Sequence, residues 1–175
     1  MKVKVTIDKT RKLLDAMRAL RTQQVLVGVP EEDDERKQNN EGVGNAYIAW
    51  FNEHGGRAEI DGHVIMVPPR PFMQLGMKKA APKIRKESKD AGVQTLDDPK
   101  KVNVALSRLG IIAQSGIKRQ IQSGEGYAPL SPVTIRMRQE RRTSGKAGTT
   151  PLLDTGQLLN SIHYVIRKRK SRGAS

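Results

Sequence analysis

The sequence predicts an α+β fold, with one antiparallel sheet of about four strands packed against a long central helix, and shorter helices and flexible arms around it. Three observations point there. Across residues 97–124, Val102, Leu106, Leu109, Ala113, Ile117 and Ile121 recur at steps of three and four, tracing one apolar stripe along a helix. Near the two ends of the chain the apolar residues alternate instead, as Val3, Val5, Ile7 and as Ile162, Tyr164, Ile166. Between them, strand-like and helix-like stretches are interleaved.

Taken in order, residues 1–7 set Val3, Val5 and Ile7 against Lys2, Lys4 and Thr6, the pattern of a strand with one wet face. Asp8 is placed to cap a short helix with Leu13, Leu14, Met17 and Leu20 inward and Arg11, Lys12 and Arg18 outward. Residues 24–29 read as a second strand, closed by Pro30. A loop over 31–44 opens with Glu31, Glu32, Asp33, Asp34 and Glu35 and continues through Asn39, Asn40, Gly42 and Gly44. Asn45 is set to cap a helix over 46–54 that holds Tyr47, Trp50 and Phe51, half of the six aromatic residues, and Gly55-Gly56 stops it. Aromatic residues on more than one side of a helix serve either a core or an interface.

Residues 59–67 read as one strand, and Pro68-Pro69-Arg70-Pro71 forces an extended passage. Phe72 begins another helix that runs into Lys78, Lys79, Lys83, Arg85, Lys86 and Lys89, with Pro82 expected to kink or end it and 91–98 expected to be a linker. The organising helix follows, capped by Asp97 or Asp98, with Pro99 in its first turn and Gly124 as its left-handed stop. Gly110 and Ser115-Gly116 interrupt the stripe and permit close packing. Ser131 as cap and Pro132 as first residue start a short helix carrying Arg136, Arg138, Arg141 and Arg142. A flexible basic loop over 143–150 precedes Pro151, Asp154 or Thr155 caps a further helix, and 162–169 is the last strand. The expected organisation is a single domain over 1–167 and a basic tail over 168–175, with Lys168, Arg169, Lys170 and Arg172.

Composition narrows the function. The 175 residues carry 32 Lys and Arg against 18 Asp and Glu, a net charge of +14 that favours a polyanionic neighbour, either nucleic acid or an acidic protein surface. Without cysteine there is no disulfide framework and no thiolate metal site. No apolar run approaches the roughly 18 residues of a membrane span and no signal-peptide core opens the chain, so a soluble protein made inside the cell is expected.

The motifs of catalysis fit this sequence poorly. The glycine-rich phosphate loop needs a glycine five residues before its Gly-Lys pair and a hydroxyl residue after it; around Gly145-Lys146 those positions hold Glu140 and Ala147. Ser161, His163 and Asp154 lie close in sequence, but no nucleophile-elbow pattern surrounds the serine. His54, Asp61 and His63 match no strong metal-ligand spacing, and the acids 31–35 lack the order of a calcium loop. No catalytic residue, metal or cofactor is expected. Arg136, Arg138, Arg141, Arg142, Arg167, Lys168, Arg169, Lys170 and Arg172 remain as residues for DNA or an acidic surface, without any motif for base-specific reading.

One pattern is more specific. Pro129-Leu130-Ser131-Pro132-Val133-Thr134 is followed by Pro151-Leu152-Leu153-Asp154-Thr155-Gly156-Gln157-Leu158-Leu159-Asn160-Ser161-Ile162. Upstream stand Asn52-Glu53-His54-Gly55 and Pro68-Pro69-Arg70-Pro71-Phe72. In order and spacing these four pieces, lying between residues 45 and 165, resemble the tail-completion and virion-morphogenesis proteins of tailed bacteriophages. Tyr127 stands where that family commonly has tryptophan, and His54 where it has an aromatic residue. The resemblance implies a neck component of the virion, made in the host cytoplasm, that works as a closed and expectedly hexameric ring. Its implied partners are copies of itself, tail terminator or tail tube proteins, head-side connector proteins and packaged DNA, with no membrane. The residues put forward for subunit or partner contacts are the acidic run Glu31, Glu32, Asp33, Asp34 and Glu35, which lies outside the resemblance, together with Trp50, Arg70, Phe72, Ser131, Asp154, Thr155 and Gly156. A small basic protein that binds nucleic acid nonspecifically is the alternative.

Overall fold

A computed structural model describes residues 10–30, 43–60, 62–140 and 148–169. In chain order the elements are α1 (Thr10–Thr22), β1 (Gln23–Gly28), α2 (Asn45–His54), β2 (Gly56–Ile60), β3 (His63–Val67) and α3 (Phe72–Asp97). A 3-10 turn (Pro99–Lys101) then leads into α4 (Val102–Ser123), followed by α5 (Pro132–Glu140), α6 (Gln157–Ser161) and β4 (His163–Lys168). The expected strand over 1–7 and the loop acids 31–35 lie outside the described residues, as do Arg141, Arg142, Lys170 and Arg172.

The centre is an antiparallel pair of long helices, α3 and α4. Val102, Leu106, Ala113, Ile117 and Ile121 of the apolar stripe are buried and Leu109 is half-buried, with Ala105 buried beside them, and Gly124 ends α4 at φ 64°, as its sequence predicts. Where the two helices touch, the backbones nearly meet. A Cβ built on Gly76 would lie 2.6 Å from the Ile117 Cα, and one on Gly116 would lie 2.7 Å from the Ala80 Cβ. The Tyr164 ring of β4 covers Gly110 in the same way. The glycines that lower helix propensity are therefore the contact points.

Three expectations need correction here. Pro82 neither ends nor divides α3, which runs unbroken to Asp97. Pro82 lies on the exposed side of the helix, and packing against α4 holds the helix through it. The expected linker over 91–98 is instead α3's last two turns, because Ala91 and Thr95 continue the buried line of Ala80 at helical spacing. The organising helix starts later than 97: Asp98 Oδ1 accepts a hydrogen bond from the Lys100 N–H (3.1 Å), stabilising the 3-10 turn before α4.

The sheet also differs from the expectation. Among the described residues there are two separate two-stranded antiparallel sheets, not one of four strands. β1 pairs with β4 from Gln23 opposite Lys168 to Gly28 opposite His163, and this ribbon packs on α4. β2 and β3 form a local hairpin turned at Gly62, whose φ is 74°. The single strand expected over 59–67 is therefore the second half of a hairpin, folded back on itself by that left-handed glycine.

One core joins these parts. Ala49 of α2, Phe72 of α3, Ile117 and Ile121 of α4, and Leu158 and Ile162 around α6 are all buried together, with Val27, Val29, Tyr127, Leu152 and Leu153 packed on them. None of the helices among the described residues is long and apolar enough to cross a membrane.

Candidate functional site

The sequence pieces that carry the resemblance fall into two hydrogen-bonded units. In the first, the Asn52 carbonyl accepts from the Arg70 N–H (2.7 Å), tying the end of α2 to the proline-rich passage. The Glu53 carboxylate then accepts from the Met73 N–H (2.8 Å) and the Gln74 N–H (3.0 Å). These are first-turn amides of α3, which Pro71 at the cap position has no side chain to satisfy. A carboxylate there also complements the positive end of the helix dipole. Thus Asn52-Glu53 and Pro68–Phe72 act together: one starts the helix that the other leads into.

The second unit is built on α5. Ser131 caps that helix as expected, its Oγ accepting from the Thr134 N–H at 3.1 Å. From the helix, Arg138 Nη1 donates to the carbonyls of Gly148 (3.1 Å), Thr150 (3.0 Å) and Leu153 (3.1 Å), and its Nε lies 3.8 Å from Asp154 Oδ1. Between those acceptors Leu152 adopts φ 67°, a left-handed conformation that is strained for a branched side chain. Gly156, at φ 81°, provides the entry to α6, and the Gln157 N–H reaches Thr155 Oγ1 only at 3.4 Å. Gly156 thus stands in the cap position expected for Asp154 or Thr155, and Asp154 also faces Arg138.

The two units face each other across a groove of about 800 Å³. α2 contributes Asn45, Ile48 and Asn52, β3 contributes Ile65, Met66 and Val67, and Arg70 follows them. The opposite wall holds Leu130, Ser131, Thr134, Arg138 and residues 154–158. Arg70 is only 8 % exposed, and its Nε has no hydrogen-bond partner. Burial first, and the Arg138 guanidinium second, hold its pKa below the ordinary arginine value. Among the described lining residues, two guanidiniums stand against the single carboxylate of Asp154. The groove is therefore a partly apolar socket with one positive charge uncompensated.

No family model, curated protein or solved structure matches this chain.

Arg70, Ser131, Asp154, Thr155 and Gly156 are brought together in the groove. Phe72 is not at an interface of this chain's surface: it is fully buried, in the core behind Arg70. Trp50 is 57 % exposed and packs beside Tyr47 and His54, with ring centroids 6.1 Å and 5.2 Å away, so the aromatic helix turns most of its rings outward. Arg138 is inward and latched, in contrast to its expected place on an outer basic face, whereas Arg136, Arg167, Lys168 and Arg169 are exposed. Ser161 donates to the Leu158 carbonyl (2.9 Å) within the core, and Asp154 Oδ1 lies 3.8 Å from Arg138 Nε. Among the described residues no three His, Asp or Glu side chains gather as a metal site.

Glu53 and Asn45 escaped the sequence reading as individual site residues. Glu53 acts across 20 positions, so no local pattern marks it. Asn45 is the buried first residue of α2, with Gly44 in the cap position it was expected to hold.

Proposed function

We propose that this chain is a structural virion protein of a tailed bacteriophage, a tail-completion or neck component whose ring joins the tail to the DNA-filled head. What carries the reading is the convergence of the four resembling sequence pieces: two lock together at the start of α3, two are latched by Arg138, and all four border one groove. Pieces that are scattered in sequence and meet in space belong to one working surface. The function is binding rather than turnover. Each subunit contributes a modest contact, and linkage of many in a closed ring yields the avidity that holds a pressurised joint. The partners on this reading are copies of the chain, the tail terminator or tube on one side and the head-side connector on the other.

Deletion of the gene from the parent phage tests it. Electron micrographs of lysates should contain full heads beside complete, unattached tails, and a complementing copy should restore joined particles. Joined particles without the gene would reject the reading.

The exposed face of α3, with Lys78, Lys79, Lys83, Arg85, Lys86 and Lys89, favours a second reading as a nonspecific nucleic-acid binder. A gel shift that is strong in low salt and collapses at moderate salt, together with joined but DNA-leaking particles in the deletion, would favour it over the neck role.

A further inference from the structure

Arg70 poses a chemical question that the fold alone leaves open. An arginine that is only 8 % exposed ordinarily has a carboxylate or several carbonyls around its guanidinium. Arg138 meets that need with three carbonyls and Asp154. Arg70 does not: its Nε lacks an acceptor, and the charge acting on it is that of a second cation, Arg138. One added carboxylate would neutralise the groove, whereas a phosphate dianion would overcompensate it.

The rim indicates how that carboxylate is delivered. Met66 is 72 % exposed and Ile65 40 %, both at the mouth of the groove, and Val133 and Met137 lie exposed on the neighbouring α5. Apolar side chains around a charged socket suit a protein segment better than a free ion. The densest carboxylate segment of this otherwise basic chain is the run Glu31, Glu32, Asp33, Asp34, Glu35. A heterologous ring contact needs two different, complementary patches on one chain, which an acidic run and a cationic socket supply.

We propose that the groove between Arg70 and Arg138 is the socket for a carboxylate from the 31–35 run of a second copy of this chain. The inference rests on the ring reading in that it makes this contact the repeating subunit joint. A side-on carboxylate engages Nε and one Nη of Arg70 in the two-pronged geometry that arginine favours.

The absence of cysteine makes the test clean. Full-length Glu32→Cys chain is mixed with full-length Thr155→Cys chain under mild oxidation, with Ser88→Cys on the exposed side of α3 as the control position. The expected result is a disulfide-linked heterodimer formed at least tenfold faster than with the control. Adding Arg70→Met to the Thr155→Cys chain should abolish that advantage. Should Arg70→Met fail to fold by circular dichroism, neutralising the other acids (Glu31→Gln, Asp33→Asn, Asp34→Asn, Glu35→Gln) on the Glu32→Cys chain leaves the socket intact and should have the same effect. Equal rates at Thr155→Cys and Ser88→Cys, or an advantage indifferent to both charge changes, overturn the proposal. A double Glu32→Cys/Thr155→Cys chain that links only within itself also overturns it. If the heterodimer behaves as expected while the double chain links no further than open dimers, the socket stands and the ring reading fails.

Discussion

Arg138 shows how much a single side chain organises on this surface. Three carbonyls within 3.1 Å of one nitrogen hold residues 148–153 to α5, including Leu152 in its strained conformation. Arg138→Met keeps much of the stem's packing but leaves those carbonyls unpaired, and it should lower stability by about 2–3 kcal/mol in thermal or urea unfolding. Its neighbour in charge, Arg136, is exposed, and Arg136→Met should change stability by less than about 0.5 kcal/mol in the same assay. Nothing in the run of arginines across 136–142 tells which one turns inward, since that depends on carbonyls contributed by a later loop. Tyr127 is a second residue whose environment decides its chemistry. Burial pushes its pKa up to about 12, with the Glu53 carboxylate acting in the same sense and the Gln120 side chain opposing, while its hydroxyl donates to the Gln120 carbonyl (3.2 Å). A raised folded pKa means the unfolded chain loses this proton first. Its share of stability is thus intact below about pH 10 and is lost as pH climbs towards about 12. Tyr127→Phe should flatten that alkaline decline, and an ultraviolet tyrosinate titration of the wild type should show one late-titrating group.

At the scale of elements, the spacing of α3 and α4 is the quantity that everything else inherits. Gly76 faces the Ile117 backbone, which has no freedom to retreat, so Gly76→Ala should lower stability by about 1–3 kcal/mol and be read directly as a drop in melting temperature. Lys78→Ala, exposed on the same helix, serves as the comparison and should be near neutral. The role of Gly110 and Ser115-Gly116 was legible in the sequence because glycine inside a sustained apolar stripe has few other uses. The length of α3 was not. A proline rule applied to Pro82 counts only the local hydrogen bond and steric clash, while the deciding factor is the long contact with α4, invisible in a local window. The Ser131-Pro132 start of α5 was readable because it carries its own cap, whereas the face of α1 was misread: Leu13, Leu14, Met17 and Leu20, expected inward, are exposed, and Ala16 is the buried residue of that helix. The hairpin was half-read because β2 contains Arg57 and Glu59 and offers little apolar alternation.

For the whole molecule, charge is the controlling variable. The chain carries +14, and copies brought together repel unless acids and cations are paired across the joint. Reversing the run through Glu31→Lys, Glu32→Lys, Asp33→Lys, Asp34→Lys and Glu35→Lys should reduce assembled particles by at least tenfold in a complementation titre, with the purified chain still showing a cooperative melt; undiminished titres would refute a joining role for the run. The groove itself was legible only in pieces. Arg70 between prolines is visibly stiff, but its burial against the ordinary habit of arginine comes from three distant elements closing round it. The pairing of β1 with β4 carries a consequence for how the chain is made. β1 emerges from the ribosome well before its partner, which follows only after α2 to α6. Until then the face of α4 under that ribbon is uncovered and the β1 edge has no mate. Closure of this ribbon therefore waits on synthesis through 163–168, and a nascent or prematurely ended chain lacking those residues is left with an adhesive edge in place of a finished ribbon.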